Sequence, residues 1–265
     1  MKQKKNQKNI ISSPGKILFR KFLIVFLMIT AAISITFSFL FFFRVKTITV
    51  LQNKKITTDE ILTAAKIPLG RHVFSVNVQN AEASVLSLSP YIKSVNVTRV
   101  FPSEILIEAE EYTADFYIEI ESKYYLVSHT LLILEEISES EIADTGAAEL
   151  FLPEINTTAK KFGVGKKIVF VEKKDRDSIP LLMEAFSKSK LFDSITKLDL
   201  DEEANLTAIV NGQYTIKFGN KKELGDKLLL CEEAVEYLSA NMGSVTGTIH
   251  AWSSEKVTFE ITGVT

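Results

Sequence analysis

The chain has 265 residues, 46% hydrophobic and 24% charged, with a formal net charge of −2. Its first 21 residues hold seven of the 31 Lys and Arg and no acid, so the rest carries 24 basic against 33 acidic side chains. That acidic balance excludes a nucleic-acid binder, which needs a basic face, and the single Cys231 excludes an intrachain disulfide or a cysteine-based zinc site.

The basic tail, residues 1–21, is rich in Asn, Gln and Ser and reads as disordered. Phe22–Phe43 follows with 22 uncharged residues. As a helix it would reach about 33 Å, enough for a hydrocarbon core of about 30 Å. A signal peptide would have a shorter apolar run and a small-residue cleavage site. A cut at Ala31-Ala32 would leave the apolar 35–43 stretch exposed, so the segment reads as a retained transmembrane helix. Seven basic residues before it against Arg44 and Lys46 just after predict a cytoplasmic N-terminus and an outward C-terminus. The 222 residues beyond can bury one large core or two smaller ones, and an exported chain without disulfides suits a bacterial envelope.

Val45–Val50 alternates in the manner of a strand, with one slip beside the membrane. Thr57 and Glu60 are spaced as a capping box, predicting a helix that Pro68 and Gly70 stop. His72–Val78 reads as an extended connector. Asn80 then caps a second helix, Ala81–Leu88. Two strands follow, Lys93–Phe101 with Val95, Val97 and Phe101 on one face, and a second carrying Ile105, Ile107 and Ala109. The order strand, helix, helix, strand, strand fits a small α+β module.

Ala114–Ile120, Lys123–Ser128 and Leu131–Leu134 read as a meander, and the acidic stretch 135–148 as a solvated loop. Glu149–Ile155 is extended; residues 156–167 give no clear pattern. Asp177 caps a helix Ser178–Lys188 with Pro180 in its first turn. Strands Ile195–Asp201, Asn205–Val210 and Gln213–Phe218 come next, the last two joined at Asn211-Gly212, a strong hairpin signal. Helix Lys221–Ala240 has the stripe Leu224, Leu228, Cys231, Val235 and Leu238 and is ended by Gly243. Strands Val245–Trp252 and Lys256–Ile261 close the chain.

No constellation for chemistry emerges. His72, His129 and His250 lack metal-ligand spacing and read as surface or strand residues. The S-x-x-K pattern occurs at Ser13, Ser187 and Ser253 without its companion motifs. No nucleophile elbow or dinucleotide fingerprint is present, and Gly163–Lys167 lacks the length and hydroxyl of a phosphate loop. Cys231 sits on an apolar stripe, where a thiol is inert. The chain reads as a non-enzyme with no cofactor and no metal.

Several stretches carry a specific likeness: Val45–Val50, Thr58-Asp59-Glu60-Ile61, Pro68–Phe74, Pro90–Val95 and Arg99–Ile107. In order and spacing they resemble the FtsQ/DivIB family of bacterial cell-division proteins, whose membrane-proximal module is the polypeptide-transport-associated (POTRA) domain. Leu152-Pro153 and the terminal strand–helix–strand part resemble the family's second, β domain. The chain departs from the family at Glu111-Tyr112-Thr113-Ala114, where Glu-Arg followed by proline is usual.

The resemblance implies an α+β chain with four parts: a cytoplasmic tail 1–21, a transmembrane helix 22–43, a POTRA domain 44–113 and a strand-rich β domain with helices 114–265. It implies a bitopic division scaffold at the septum, whose partners are the single-pass FtsL-like and FtsB/DivIC-like proteins. Docking would proceed by strand addition to a terminal edge strand, with His250, Trp252, Lys256, Val257 and Phe259 as the partner-binding residues. No arginine accompanies the aromatics. Trp252 and Phe259 would serve equally as core residues of a buried sheet face, and the sequence leaves both readings open. Two other functions compete: a POTRA-bearing component of an assembly or secretion system, which would need a β-barrel neighbour, and a membrane-anchored cell-wall enzyme.

Overall fold

The computed structural model describes residues 14–51, 54–202, 204–242 and 245–264. Helix α1, Pro14–Phe42, begins eight residues before the uncharged run does. Backbone hydrogen bonding does not stop at a charged side chain, so Lys16, Arg20 and Lys21 continue the helix. Within it Leu18–Phe42 is long and apolar enough to cross a membrane, and none of it is buried against the protein. Its two threonine hydroxyls are satisfied within the helix: Thr30 Oγ1 donates to Leu27 O at 3.0 Å and Thr36 Oγ1 to Ala32 O at 2.9 Å. The N-terminal part of the predicted tail, residues 1–13, lies outside the described residues.

Close contacts divide the chain into two compact units. The first falls within residues 1–53, 57–85 and 95–109; the second takes 54–56, 86–94 and 110–265.

The module that makes up most of the first unit follows the predicted order. Strand β1 is Thr47–Leu51, helix α2 Thr58–Ala65, helix α3 Val78–Leu86, strand β2 Ile92–Val100 and strand β3 Glu104–Glu111. The capping box at α2 forms in both directions: Thr57 Oγ1 accepts from Glu60 N at 3.3 Å, and Thr57 N donates to Glu60 Oε2 at 2.8 Å. The Thr57 hydroxyl, which donates to Glu60 Oε2 at 2.7 Å, and after it the Thr57 N–H hold the Glu60 carboxyl below the usual range. Helix α3 starts before the predicted Asn80 because Asn77 Oδ1 is the cap, accepting from Asn80 N at 3.1 Å. The supposed connector contains a 3-10 turn, Val73–Ser75. The sheet order is β1-β3-β2, with β1 parallel to β3. Ile105, Ile107 and Ala109 are fully buried on it, as are Ile61 on α2, Val73 and Val85 on α3. Phe101, expected on the inner face with Val97, is instead 56% exposed, past the end of β2.

In the second unit β4 is Phe116–Ile120, β5 Lys123–Val127 and β6 Ile133–Ile137. The expected acidic loop thus begins as strand. On a sheet edge one side faces water, so Glu136 sits in β6 and pairs with Lys123 on β5 at 2.8 Å. A short helix α4, Ile142–Thr145, leads into β7, Ala148–Phe151. Helix α5, Lys173–Ser187, starts five residues earlier than predicted and holds Pro180 in its interior. Burial of Ile179, Leu182, Met183 and Phe186 along one stripe outweighs the lost hydrogen bond.

Strands β8 (Ile195–Asp199), β9 (Leu206–Val210) and β10 (Tyr214–Gly219) follow, and Asn211 and Gly212 both adopt positive φ, 55° and 66°, as the hairpin requires. Helix α6, Leu224–Asn241, buries all five residues of its predicted stripe, and also Lys227. The predicted stop, Gly243, lies outside the described residues. Strands β11 (Val245–His250) and β12 (Thr258–Val264) complete a nine-stranded sheet of order β12-β11-β10-β9-β8-β7-β4-β5-β6. Since β10 and β11 run parallel, they need the crossover that α6 supplies. Phe186 of α5 meets Phe218 of β10 edge-on, with ring centroids 5.5 Å apart, in the core beneath the helices.

Candidate partner-binding edge

The nine-stranded sheet has two ends, and they differ. At one end β6 is already covered where it begins. Ile133 N donates to Lys166 O at 3.0 Å, and Ile133 O accepts from Gly165 N at 2.8 Å. At the other end β12 pairs antiparallel with β11, and no strand among the described residues lies on its outer side. Outward-pointing N–H and C=O groups of such a strand are a template for another chain.

A glycine sets how β12 lies on β11. Partners across the pair include Gly247 with Ile261 and Ile249 with Phe259, with an irregularity between Thr246 and Gly247. A Cβ at Gly247 would stand 2.4 Å from Glu260 O and 2.5 Å from the Phe259 ring. The ring thus covers the bare glycine, an aromatic rescue of a strand glycine, and is 6.1 Å from that of Tyr214 in an edge-on arrangement. Phe259 and Val257 are half-buried against the main core.

Trp252 is different. It lies just past β11 with 67% of its surface exposed, 4.8 Å between ring centroids from His250. His250 Nε2 is 3.5 Å from Glu260 Oε2 on β12, while its buried Nδ1 has no partner. Lys256 is exposed and, with Val257, precedes β12 instead of opening it. The five sequence-predicted residues therefore gather at one end of the terminal hairpin, in two roles: Phe259 and Val257 face inward, Trp252 and Lys256 outward. Ile261, 57% exposed on the edge strand, was passed over by pattern reading. Its signal is the unbroken alternation along Thr258–Thr262, which puts Ile261 on the same face as Phe259.

Arrangements that resemble catalytic groups have structural explanations. Asp115 Oδ2 receives the His129 backbone N–H at 2.7 Å and lies 2.9 Å from Nδ1, but the adjacent Ser128 hydroxyl is fully buried and bonded to Thr130 Oγ1 at 2.8 Å. The set holds a turn. Lys227 Nζ donates to Phe218 O and Asn220 O, each at 2.9 Å, tying β10 to α6, and burial pushes its pKa down. Burial pushes the Cys231 thiol up to about 12, far from a reactive thiolate. Among the described residues no group of three His, Cys, Asp or Glu is placed to hold a metal ion.

An N-terminal apolar helix, a small β-α-α-β-β module and a larger sheet with an open terminal edge define a membrane-anchored POTRA-type protein. Residues 43–112 match the family model described as POTRA domain, FtsQ-type. Cell division protein DivIB of Clostridium tetani is 32% identical over 95 residues, 36% of each chain. DivIB of Clostridium botulinum (strain Hall) is 25% identical over 190 residues, 71% of this chain and 70% of that one. Cell division protein FtsQ of Syntrophotalea carbinolica is 28% identical over 85 residues, 32% of this chain and 30% of the relative. The chain is thus similar to FtsQ/DivIB proteins, most clearly over its FtsQ-type POTRA domain.

Proposed function

We propose that this protein is a bitopic, non-enzymatic scaffold of the bacterial division machinery that takes a strand from an FtsL-like or FtsB/DivIC-like single-pass partner on the outer side of β12. The reading rests on relatives that carry the name cell division protein and, above all, on the open β12 edge. The N-terminus is cytoplasmic by the charge asymmetry around α1, with a POTRA domain over 44–113 and a β domain over 114–265 outside the membrane, at the septum. Main-chain bonds along the strand supply affinity at about 1 kcal/mol net each, and side chains set register. Trp252 and Ile261 supply exposed apolar contact, Lys256 the rim charge. His250 braces Trp252, while Phe259 and Val257 anchor the strand from within.

The test is capture of the partners' outward segments by the full-length protein in detergent. Trp252→Ala and Ile261→Asp weaken capture with melting unchanged; Phe259→Ala lowers both. Removing residues from 244 onward abolishes capture. Undiminished capture by that truncated form sinks the edge proposal. A fluorescent fusion that spreads evenly around the cell, with no septal band, sinks the division role.

A further inference from the structure

The first unit carries an apolar face that its own core does not explain. Phe74 is 50% exposed and Phe101 56% exposed, yet their rings lie together, centroids 5.2 Å apart. Phe74 also meets the membrane helix, and both rings meet the residue that follows it. Phe74 stacks on Phe39 at 5.9 Å and approaches Phe43 at 5.7 Å; Phe101 approaches Phe43 at 6.2 Å. Phe39 lies in the last turn of α1. A 25-residue span reaches about 37 Å, roughly 7 Å beyond the hydrocarbon thickness. The last turn and the rings beside it therefore lie at headgroup depth, where aromatic side chains are favoured.

The backbone holds this face in place. Val45 N donates to Arg71 O at 2.8 Å, Gly70 N to Val45 O at 2.8 Å and Val73 N to Phe43 O at 2.7 Å, so the chain leaving the membrane is zipped to the 70–73 loop without a linker. Arg99 fixes the next stretch, donating to Val73 O at 3.2 Å and Val76 O at 2.8 Å. Cations frame the rings. Arg44 lies 5.2 Å over Phe41 and Lys46 is 5.8 Å from Phe42, and Arg71 is in the loop itself. Apolar rings bordered by Arg and Lys match the acyl–phosphate boundary of a leaflet.

We propose that the first unit docks on the phospholipid leaflet at the end of α1, with Phe74 and Phe101 inserted at the acyl–headgroup boundary and Arg44, Lys46 and Arg71 on lipid phosphates. The proposal rests on α1 spanning the bilayer, and deepens that reading by making the module a bilayer-bound body with a set tilt. Continuity with the span identifies the occupant: any covering partner would have to displace lipid already against Phe39 and Phe43.

The test uses the full-length chain in phospholipid nanodiscs with acyl chains brominated near the glycerol. In a Trp252→Phe background, single tryptophans replace Phe74, Phe101, Phe41 within the span, and Leu51 at the far end of β1. Brominated lipid quenches the tryptophans at 74 and 101 at least half as strongly as the one at 41, with blue-shifted emission, and leaves the one at 51 unquenched. Quenching at 41 but not at 74 and 101 overturns the docking and leaves the span standing. Absent quenching at 41 overturns the span and the docking with it. Equal quenching at 51 and 74 overturns the specific face. The two reporter positions come from different segments, and each variant's melting temperature reports folding, so a local defect at one leaves the other decisive.

Discussion

Gly247→Ala tests the packing that shapes the β12 edge. The added Cβ would stand 2.4 Å from Glu260 O and 2.5 Å from the Phe259 ring. Ordinary contact needs about 3.3 Å to a carbonyl oxygen and about 3.5 Å between carbons. Both neighbours must retreat by about 1 Å. The ring could rotate away, but it is held against Tyr214. The carbonyl belongs to the backbone of β12 and moves only if the strand lifts from β11. Overpacking of this kind costs about 1–3 kcal/mol. At about 2–4 °C per kcal/mol for a unit of this size, the second unit should melt about 2–12 °C lower. Scanning calorimetry of the full-length protein in detergent measures it. Adding Phe259→Leu removes the ring but not the carbonyl, so the double variant should recover roughly half the loss, a coupling that neither change shows alone. Melting within about 1 °C of the parent, or full recovery in the double variant, would refute the reasoning.

Two further outcomes follow from buried groups. Lys227→Ala leaves the Phe218 and Asn220 carbonyls without their donor and should cost about 2–3 kcal/mol in chemical denaturation, while Lys227→Met, which keeps the buried stem, should cost less. Cys231 should resist disulfide-exchange reagents in the native state at pH 8 and react only on unfolding, because burial lifts its pKa from 9.0 to about 12. The neutral thiol is the form that burial favours, so its contribution to stability is complete below pH 9 and is lost as pH rises from there toward 12. Rapid native-state labelling at pH 8 would contradict the burial.

Much was legible locally because it depends on neighbours in the chain. A run of uncharged residues sets a membrane helix by length alone. The Thr57–Glu60 box, the Asn211-Gly212 hairpin and the stripe of α6 each satisfy or bury groups within a few residues of one another. Boundaries failed where a distant contact decided them. α5 runs through Pro180 because its apolar stripe is buried, and 135–137 is strand because β5 offers a partner. Lys227 lay unnoticed because its acceptors are carbonyls, which no sequence pattern displays.

The site divides in the same way. Composition and alternation point to the terminal hairpin, and resemblance to the FtsQ/DivIB family gives that hairpin its expected role. Only the strand order puts β12 and β6 at the two ends, β12 with no outer partner among the described residues and β6 covered at its start. Only the register seats Phe259 over Gly247, while Trp252 and Ile261 stay exposed. The physical reason is that edges and faces belong to pairings between segments far apart in the chain, whereas helix length, caps and turns are settled by bonds between near neighbours.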